Sequence, residues 1–156
     1  MRIGPWASAT SSQLHRRIRW QSAYNRLPVR EPEDFAEAFA AMDREKPDAG
    51  FMVVDGLTGL NRKRVIEFAG SHRIPFMYEG DFIVRDGGLV SYGPDLGEVG
   101  GRQASLLDKI LNGANADELP FERPTRFTLA LNLKTAARLG LNLPPALLAR
   151  ADEVIE

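Results

Sequence analysis

The sequence has no cysteine in its 156 residues. Disulfide frameworks, thiolate metal sites and cysteine nucleophiles are therefore excluded. Histidine is nearly as scarce. His15 and His72 are the only two and lie far apart, so a histidine-rich metal site is not expected. No stretch is long and apolar enough to span a bilayer. The run MRIGPWASATSSQLHRRIRW lacks the apolar segment of a secretory signal, so the chain as written is expected in the cytoplasm. Neither G-x-x-x-x-G-K-[ST] nor G-x-G-x-x-G occurs, which removes the common phosphate-cradling loops. No cofactor is expected from any motif.

One sign of charge is also missing locally. Up to Arg30 there are six arginines (Arg2, Arg16, Arg17, Arg19, Arg26 and Arg30) and no acid, whereas all 21 acidic residues follow. This split marks a compositional boundary near residue 30. Residues 1–26 have no clean period beyond Leu14, Ile18 and Trp20, which fit a short helix. They read as a basic, poorly ordered extension, and without a nucleic-acid motif no nucleic-acid partner is expected. Residues 27–156 read as one α/β domain, a size at which a single core is stable without staples.

What is present is an alternation of short apolar runs and amphipathic stretches. Leu27–Val29 suits a short strand. From Pro32 to Lys46, Phe35, Ala38, Phe39 and Met42 fall at helical spacing. Phe51-Met52-Val53-Val54 is a continuous apolar run, the signature of a strand buried on both faces. Asn61 is placed to cap a helix running to about Ser71. Pro75–Tyr78 and Leu89–Tyr92 suit a second and third strand, with a loop or short helix between. Pro94-Asp95 opens the longest helix, to Asn112, with Leu96, Val99, Gln103, Leu106, Leu107, Ile110 and Leu111 on one face. Gly113 stands where a C-terminal cap belongs. Phe127–Leu131 suits a late strand, and Lys134–Leu139 and Pro145–Val154 suit two short helices. Strands alternating with helices predict an α/β fold with a mostly parallel sheet flanked by helices.

In such sheets ligands bind at the carboxyl ends of the strands. Three segments are selected: Asp55 to Thr58, Tyr78 to Phe82, and Ser91 to Gly93. They offer hydroxyls, carboxylates and two tyrosine rings, which suits a small polar or aromatic ligand. Asp55, Tyr78 and Tyr92 are equally compatible with capping and packing. An enzyme would draw on Asp55, Glu79 and Asp81, but carboxylates at loop ends are common and usually solvated. Ser91 lacks a G-x-S-x-G context, and His72 precedes a strand at the opposite end of the sheet, where it reads as a surface loop residue, so a Ser-His-Asp triad is not expected. Asp55 and Lys134 match a phosphoacceptor receiver domain in residue type, but the acids that would hold Mg²⁺ after a first strand are missing.

Two long segments carry a resemblance. RIPFMYEGDFIVRDGGLVSYGPDLGE (Arg73 to Glu98) and LLDKILNGANADELPFERPTRFTLALNLKTAARLGLNLPPALLARADEVIE (Leu106 to Glu156) are similar to the C-terminal half of ABC-transporter substrate-binding proteins. The similarity extends more weakly through residues 31–54 and covers about 27–156. It implies one lobe of a type 1 periplasmic-binding-protein fold. It further implies a non-enzymatic module that captures a small solute, amino acid or aromatic in some relatives, for an ABC permease. By position, Asp55, Thr58, Tyr78, Phe82, Ser91 and Tyr92 would line one wall of the cleft. Family members are about twice this length and are periplasmic or membrane-anchored. The expectation is therefore a truncated module with impaired or lost binding, and a homodimer through the Pro94–Asn112 helix. The alternatives are a cytoplasmic small-molecule sensor or interaction domain acting as a dimer, and an α/β enzyme using the loop carboxylates.

Overall fold

The computed structural model describes residues 25–156. The short helix expected through Leu14, Ile18 and Trp20 lies outside the described residues, as does the basic extension apart from Asn25 and Arg26. Leu27–Val29 forms no strand. The first element is the helix α1 (Asp34–Glu45), entered through a turn in which the Asp34 carboxylate accepts the backbone N–H groups of Arg30 and Glu31 at 2.7 and 3.2 Å. Its apolar stripe buries Phe35, Ala38 and Ala41, and Lys46 ends it in the left-handed conformation, φ 47°.

The remaining elements alternate as expected. They are β1 (Gly50–Met52), α2 (Gly56–Leu60), α3 (Arg62–His72), β2 (Phe76–Tyr78), α4 (Asp81–Arg85), β3 (Val90–Pro94) and α5 (Leu96–Leu111). Then follow a 3₁₀ turn at Ala116–Glu118, β4 (Phe127–Asn132), α6 (Leu133–Leu139), α7 (Pro145–Leu148) and β5 (Glu153–Ile155). The strands form one sheet in the order β1-β2-β3-β4-β5. β1, β2 and β3 are parallel, β4 runs antiparallel to β3, and β5 is parallel to β4. This is the predicted mostly parallel α/β sheet.

The sheet has one well-covered face. Register aligns Met52, Tyr78, Ser91 and Ala130 in one cross-strand row, and all four are buried. Helices α1 and α3 pack there, bringing Phe35, Val65, Phe68 and Ala69 onto Phe76, Tyr78 and Ile83. The opposite row, Phe51, Met77, Val90, Leu131 and Val154, is covered only at its centre. Phe51 and Met77 are 53% and 36% exposed, and Leu131 is fully buried. The run at 51–54 is therefore not buried on both faces. Period-two alternation points Met52 inward and Phe51 and Val53 to solvent.

Three further expectations are corrected. Asn61 makes no side-chain cap; its amide donates to the Leu57 carbonyl at 2.9 Å, and the helix α2 stands ahead of it. His72 is not a loop residue. It closes α3, stacks on Phe68 with ring centroids 4.1 Å apart, and sets Nε2 3.0 Å from Asp43 of α1. The Pro145–Val154 helix stops at Leu148, and Val154 lies in β5. Asp152 makes the break: its backbone N–H donates to the Leu129 carbonyl and its carboxylate accepts the Leu129 N–H at 2.8 Å. Pairing with the edge of β4 outcompetes another helical turn.

Candidate ligand-binding site at the carboxyl ends of the strands

The segment after β1 is locked by its own side chains. Asp55 caps α2 in a reciprocal capping box, its Oδ1 accepting the Thr58 N–H at 2.7 Å while Thr58 Oγ1 accepts the Asp55 N–H at 2.9 Å. The Thr58 hydroxyl also lies 2.9 Å from both the Val53 carbonyl and Asp55 Oδ1, its acceptors. The Thr58 backbone N–H, and then its hydroxyl, hold the Asp55 carboxyl below the usual carboxylate range. Asp55 is exposed and stays anionic.

The segment after β2 is tied to the first. Glu79 accepts the Val54 N–H at 2.8 Å, which joins the ends of β1 and β2. Gly93 of β3 lies directly against this junction, and a Cβ there would overlap the Glu79 carbonyl. Phe82 is half-buried, its ring over Gly80 and under the Arg62 guanidinium, which stands 5.5 Å from the centroid. Asp81 and Glu153 share Arg85, each 2.7 Å from its Nη2, and this fastens α4 to β5.

The six residues selected from sequence thus separate into two groups. Asp55, Thr58, Phe82 and Tyr92 reach the surface at the carboxyl ends of the strands. Tyr92 is about half exposed and stacks on Phe127 at 5.7 Å. Tyr78 and Ser91 are 1% exposed and belong to the core. Burial pushes the Tyr78 phenol up from its ordinary pKa. Among the described residues, Ser91 Oγ has no hydrogen-bond partner. The carboxylates weighed for an enzyme are each engaged structurally: Asp55 as a cap, Glu79 as a strut and Asp81 as an ion pair. Among the described residues no three His, Cys, Asp or Glu side chains are placed to hold a metal ion.

A second cluster was not anticipated. Glu98, in the first turn of α5, accepts from Arg102 Nε and Nη2 at 3.0 and 2.8 Å, from the Arg126 N–H at 2.8 Å, and from the Thr125 hydroxyl. The Thr125 hydroxyl first, then the Arg126 N–H and the Arg102 guanidinium, hold its carboxyl down to about 2. Arg102 continues to Glu122 at 3.0 Å. The E-x-x-x-R spacing was legible as an i,i+4 pair, but its partners 27 residues on were not.

A family model of ABC transporter substrate binding proteins matches residues 24–155. The chain belongs to this family. Substrate-binding proteins of the family bind small-molecule solutes and work with an ABC permease; theirs is a binding-protein family, not an enzyme family. Three solved structures share the fold. A conserved domain protein from Vibrio cholerae is 26% identical with a TM-score of 0.73, covering 80% of this chain and 42% of its own. An ABC domain from Streptococcus pneumonia in complex with L-Trp is 24% identical with a TM-score of 0.75, covering 83% and 44%. A ligand-free, open substrate-binding protein with adhesive properties from Clostridium difficile is 19% identical with a TM-score of 0.56, covering 81% and 42%. The chain spans less than half the length of each. No curated protein sequence matches it significantly.

Proposed function

We propose that this chain provides one wall of a small-solute site of the ABC-transporter type, taking an amino acid or an aromatic acid, with no catalytic step. The observation that carries this reading is the Glu79–Val54 hydrogen bond, which fixes two strand-end loops side by side. The two loops carry an exposed anion at Asp55, the α2 entry at Thr58 and the half-buried ring of Phe82, and the exposed Tyr92 precedes Gly93, which abuts Glu79. An ammonium fits the carboxylate and a planar side chain fits the rings. Tyr78 and Ser91 support this wall from the core. Because the wall is open, a solute leaves one side in water. Tight capture requires burying most of the ligand, so one wall by itself binds weakly; the permease of an ABC system is the expected downstream partner. The uncovered α5 favours self-association through the 94–112 helix.

An amide-resolved NMR titration with L-Trp, L-Phe, L-Tyr and uncharged aromatic controls tests this. L-Trp is the first probe because a domain of the same fold is crystallised with it. Shifts confined to residues 53–58, 79–82 and 91–93, with Kd in the millimolar range, are expected. Asp55→Asn should weaken amino-acid binding about 3- to 5-fold, the scale of one exposed charge contact, and leave the uncharged controls unaffected. Saturating titrations that move neither loop would overturn the assignment.

A further inference from the structure

Three glycines follow an aspartate or asparagine, at Asp55–Gly56, Asp86–Gly87 and Asn112–Gly113. A glycine there lets the backbone turn its own nitrogen onto the preceding side-chain carbonyl carbon, because no Cβ obstructs the turn. Such a pair can close into a cyclic imide. The structure distinguishes the three by what closure has to break.

At Asp55 the carboxylate accepts the Thr58 N–H at 2.7 Å and the Thr58 hydroxyl at 2.9 Å, and the Asp55 carbonyl accepts the Gly59 N–H at 2.9 Å. Closure would dismantle the entry to α2. At Asp86 the carboxylate meets Arg62 Nε at 2.6 Å, an ion pair that ties the end of α4 to α3. A carboxylate is in addition a poor electrophile, because oxide is a poor leaving group.

Asn112 differs on both counts. Its side chain is a neutral amide, whose nitrogen leaves as ammonia. It caps α5 with φ −88° and ψ 12°. Its hydrogen bonds lie within the last turn of that helix. Nδ2 donates to the Asp108 carbonyl at 2.9 Å and to Asp108 Oδ1 at 3.2 Å, and the backbone N–H donates to the same carbonyl at 3.0 Å. The Gly113 N–H donates to the Ile110 carbonyl and the Ala114 N–H to the Lys109 carbonyl, each at 3.0 Å. Fraying of one terminal turn, the lowest-energy opening a helix has, frees nucleophile and electrophile together.

We propose that Asn112–Gly113 is a site of spontaneous deamidation whose products release the last turn of α5. The Gly113 nitrogen attacks Asn112 Cγ. The N–Cγ bond forms, the Cγ–Nδ2 bond breaks, and the proton lost from Gly113 leaves with the amide nitrogen as ammonia. Water then opens the imide. Addition at Cγ restores the backbone with an aspartate at position 112, and addition at the backbone carbonyl routes the chain through Cγ as isoaspartate. Neither product keeps the amide donor to Asp108. The aspartate sets a second carboxylate one turn after Asp108, at the helix end where the dipole disfavours negative charge. Isoaspartate adds a backbone atom ahead of Gly113 and moves the Gly113 and Ala114 N–H groups out of register with their acceptors. The step consumes only water and runs one way.

The full chain is aged in mildly alkaline buffer, which speeds loss of the glycine N–H proton, then digested and sequenced by mass spectrometry. Replacement of amide by acid should appear at Asn112 ahead of the other asparagines, with isoaspartate the larger product. The rate should be about 5- to 30-fold below that of a peptide of residues 106–118, the protection that one marginal opening gives. Gly113→Ala should suppress the conversion even though a side chain at φ 95° loosens the turn. Asn112→Asp should by itself accelerate amide exchange at residues 109–114 about 3- to 10-fold. An Asn112 that stays amidated while the peptide converts overturns the site, as does a Gly113→Ala chain that deamidates as fast as the parent. Unchanged exchange in both the aged chain and Asn112→Asp overturns the release.

Discussion

Asn132→Ala should cost about 2–3 kcal/mol, because one buried amide joins three elements. Asn132 ends β4 and caps α6, with 4% of its surface exposed. Its Oδ1 accepts the Thr135 N–H at 2.9 Å, and its Nδ2 donates to the Val84 carbonyl at 3.1 Å. Losing the cap costs about 1 kcal/mol. The Thr135 N–H then stays buried without an acceptor, which brings a desolvation penalty of about 1–3 kcal/mol that overlaps the cap term. Val84 O keeps the Gly87 N–H, so losing the amide donor there adds only about 1 kcal/mol or less. Urea unfolding followed by circular dichroism should show an unchanged slope and a midpoint lowered by about 0.7–3 M, for slopes of about 1–3 kcal/mol/M. Asn132→Ser keeps an acceptor for Thr135 but cannot bridge to Val84, so it should recover roughly half of the loss. An alanine variant within about 0.5 kcal/mol of the parent, the range of an ordinary surface change, would refute the reasoning. So would a serine variant no better than alanine.

Two other perturbations test other parts of the fold. Glu98 titrates ordinarily near 4.5 and is held down to about 2; a depressed acid contributes stability that is complete above its unfolded pKa and is lost as pH falls through its folded one. Amide exchange at Thr125 and Arg126, corrected for the intrinsic rate, should therefore accelerate between those two pH values, while Glu98→Gln should show the looser state already at neutral pH; a pH-independent corrected rate would contradict the clamp. Ser91→Ala removes a buried hydroxyl without a partner among the described residues, so it should stabilise the chain by up to about 1 kcal/mol and leave solute shifts at 53–58 unchanged, whereas a loss of thermal stability would show that the hydroxyl is satisfied.

The parts of the fold that were legible are those where one periodic signal decides. The stripe of Phe35 and Ala38 marks α1, the long stripe from Leu96 to Leu111 marks α5, and Gly113 follows α5 with φ 95°. The apolar run at 51–54 misled because hydrophobicity alone does not reveal whether a second layer exists to cover it. The β5 region misled because local propensity around Leu147 and Leu148 says nothing of the Asp152–Leu129 pairing. In the candidate site, the D-x-x-T spacing of Asp55 and Thr58 fits the capping box that forms, but residue type alone left capping and ligand contact even. Strand parity also forbids the adjacent residues Ser91 and Tyr92 from facing one side, but parity does not say which of them is inside. The neighbours across the sheet decide it: Ser91 aligns with Tyr78 and Ala130 in the core, and Tyr92 turns to the open face.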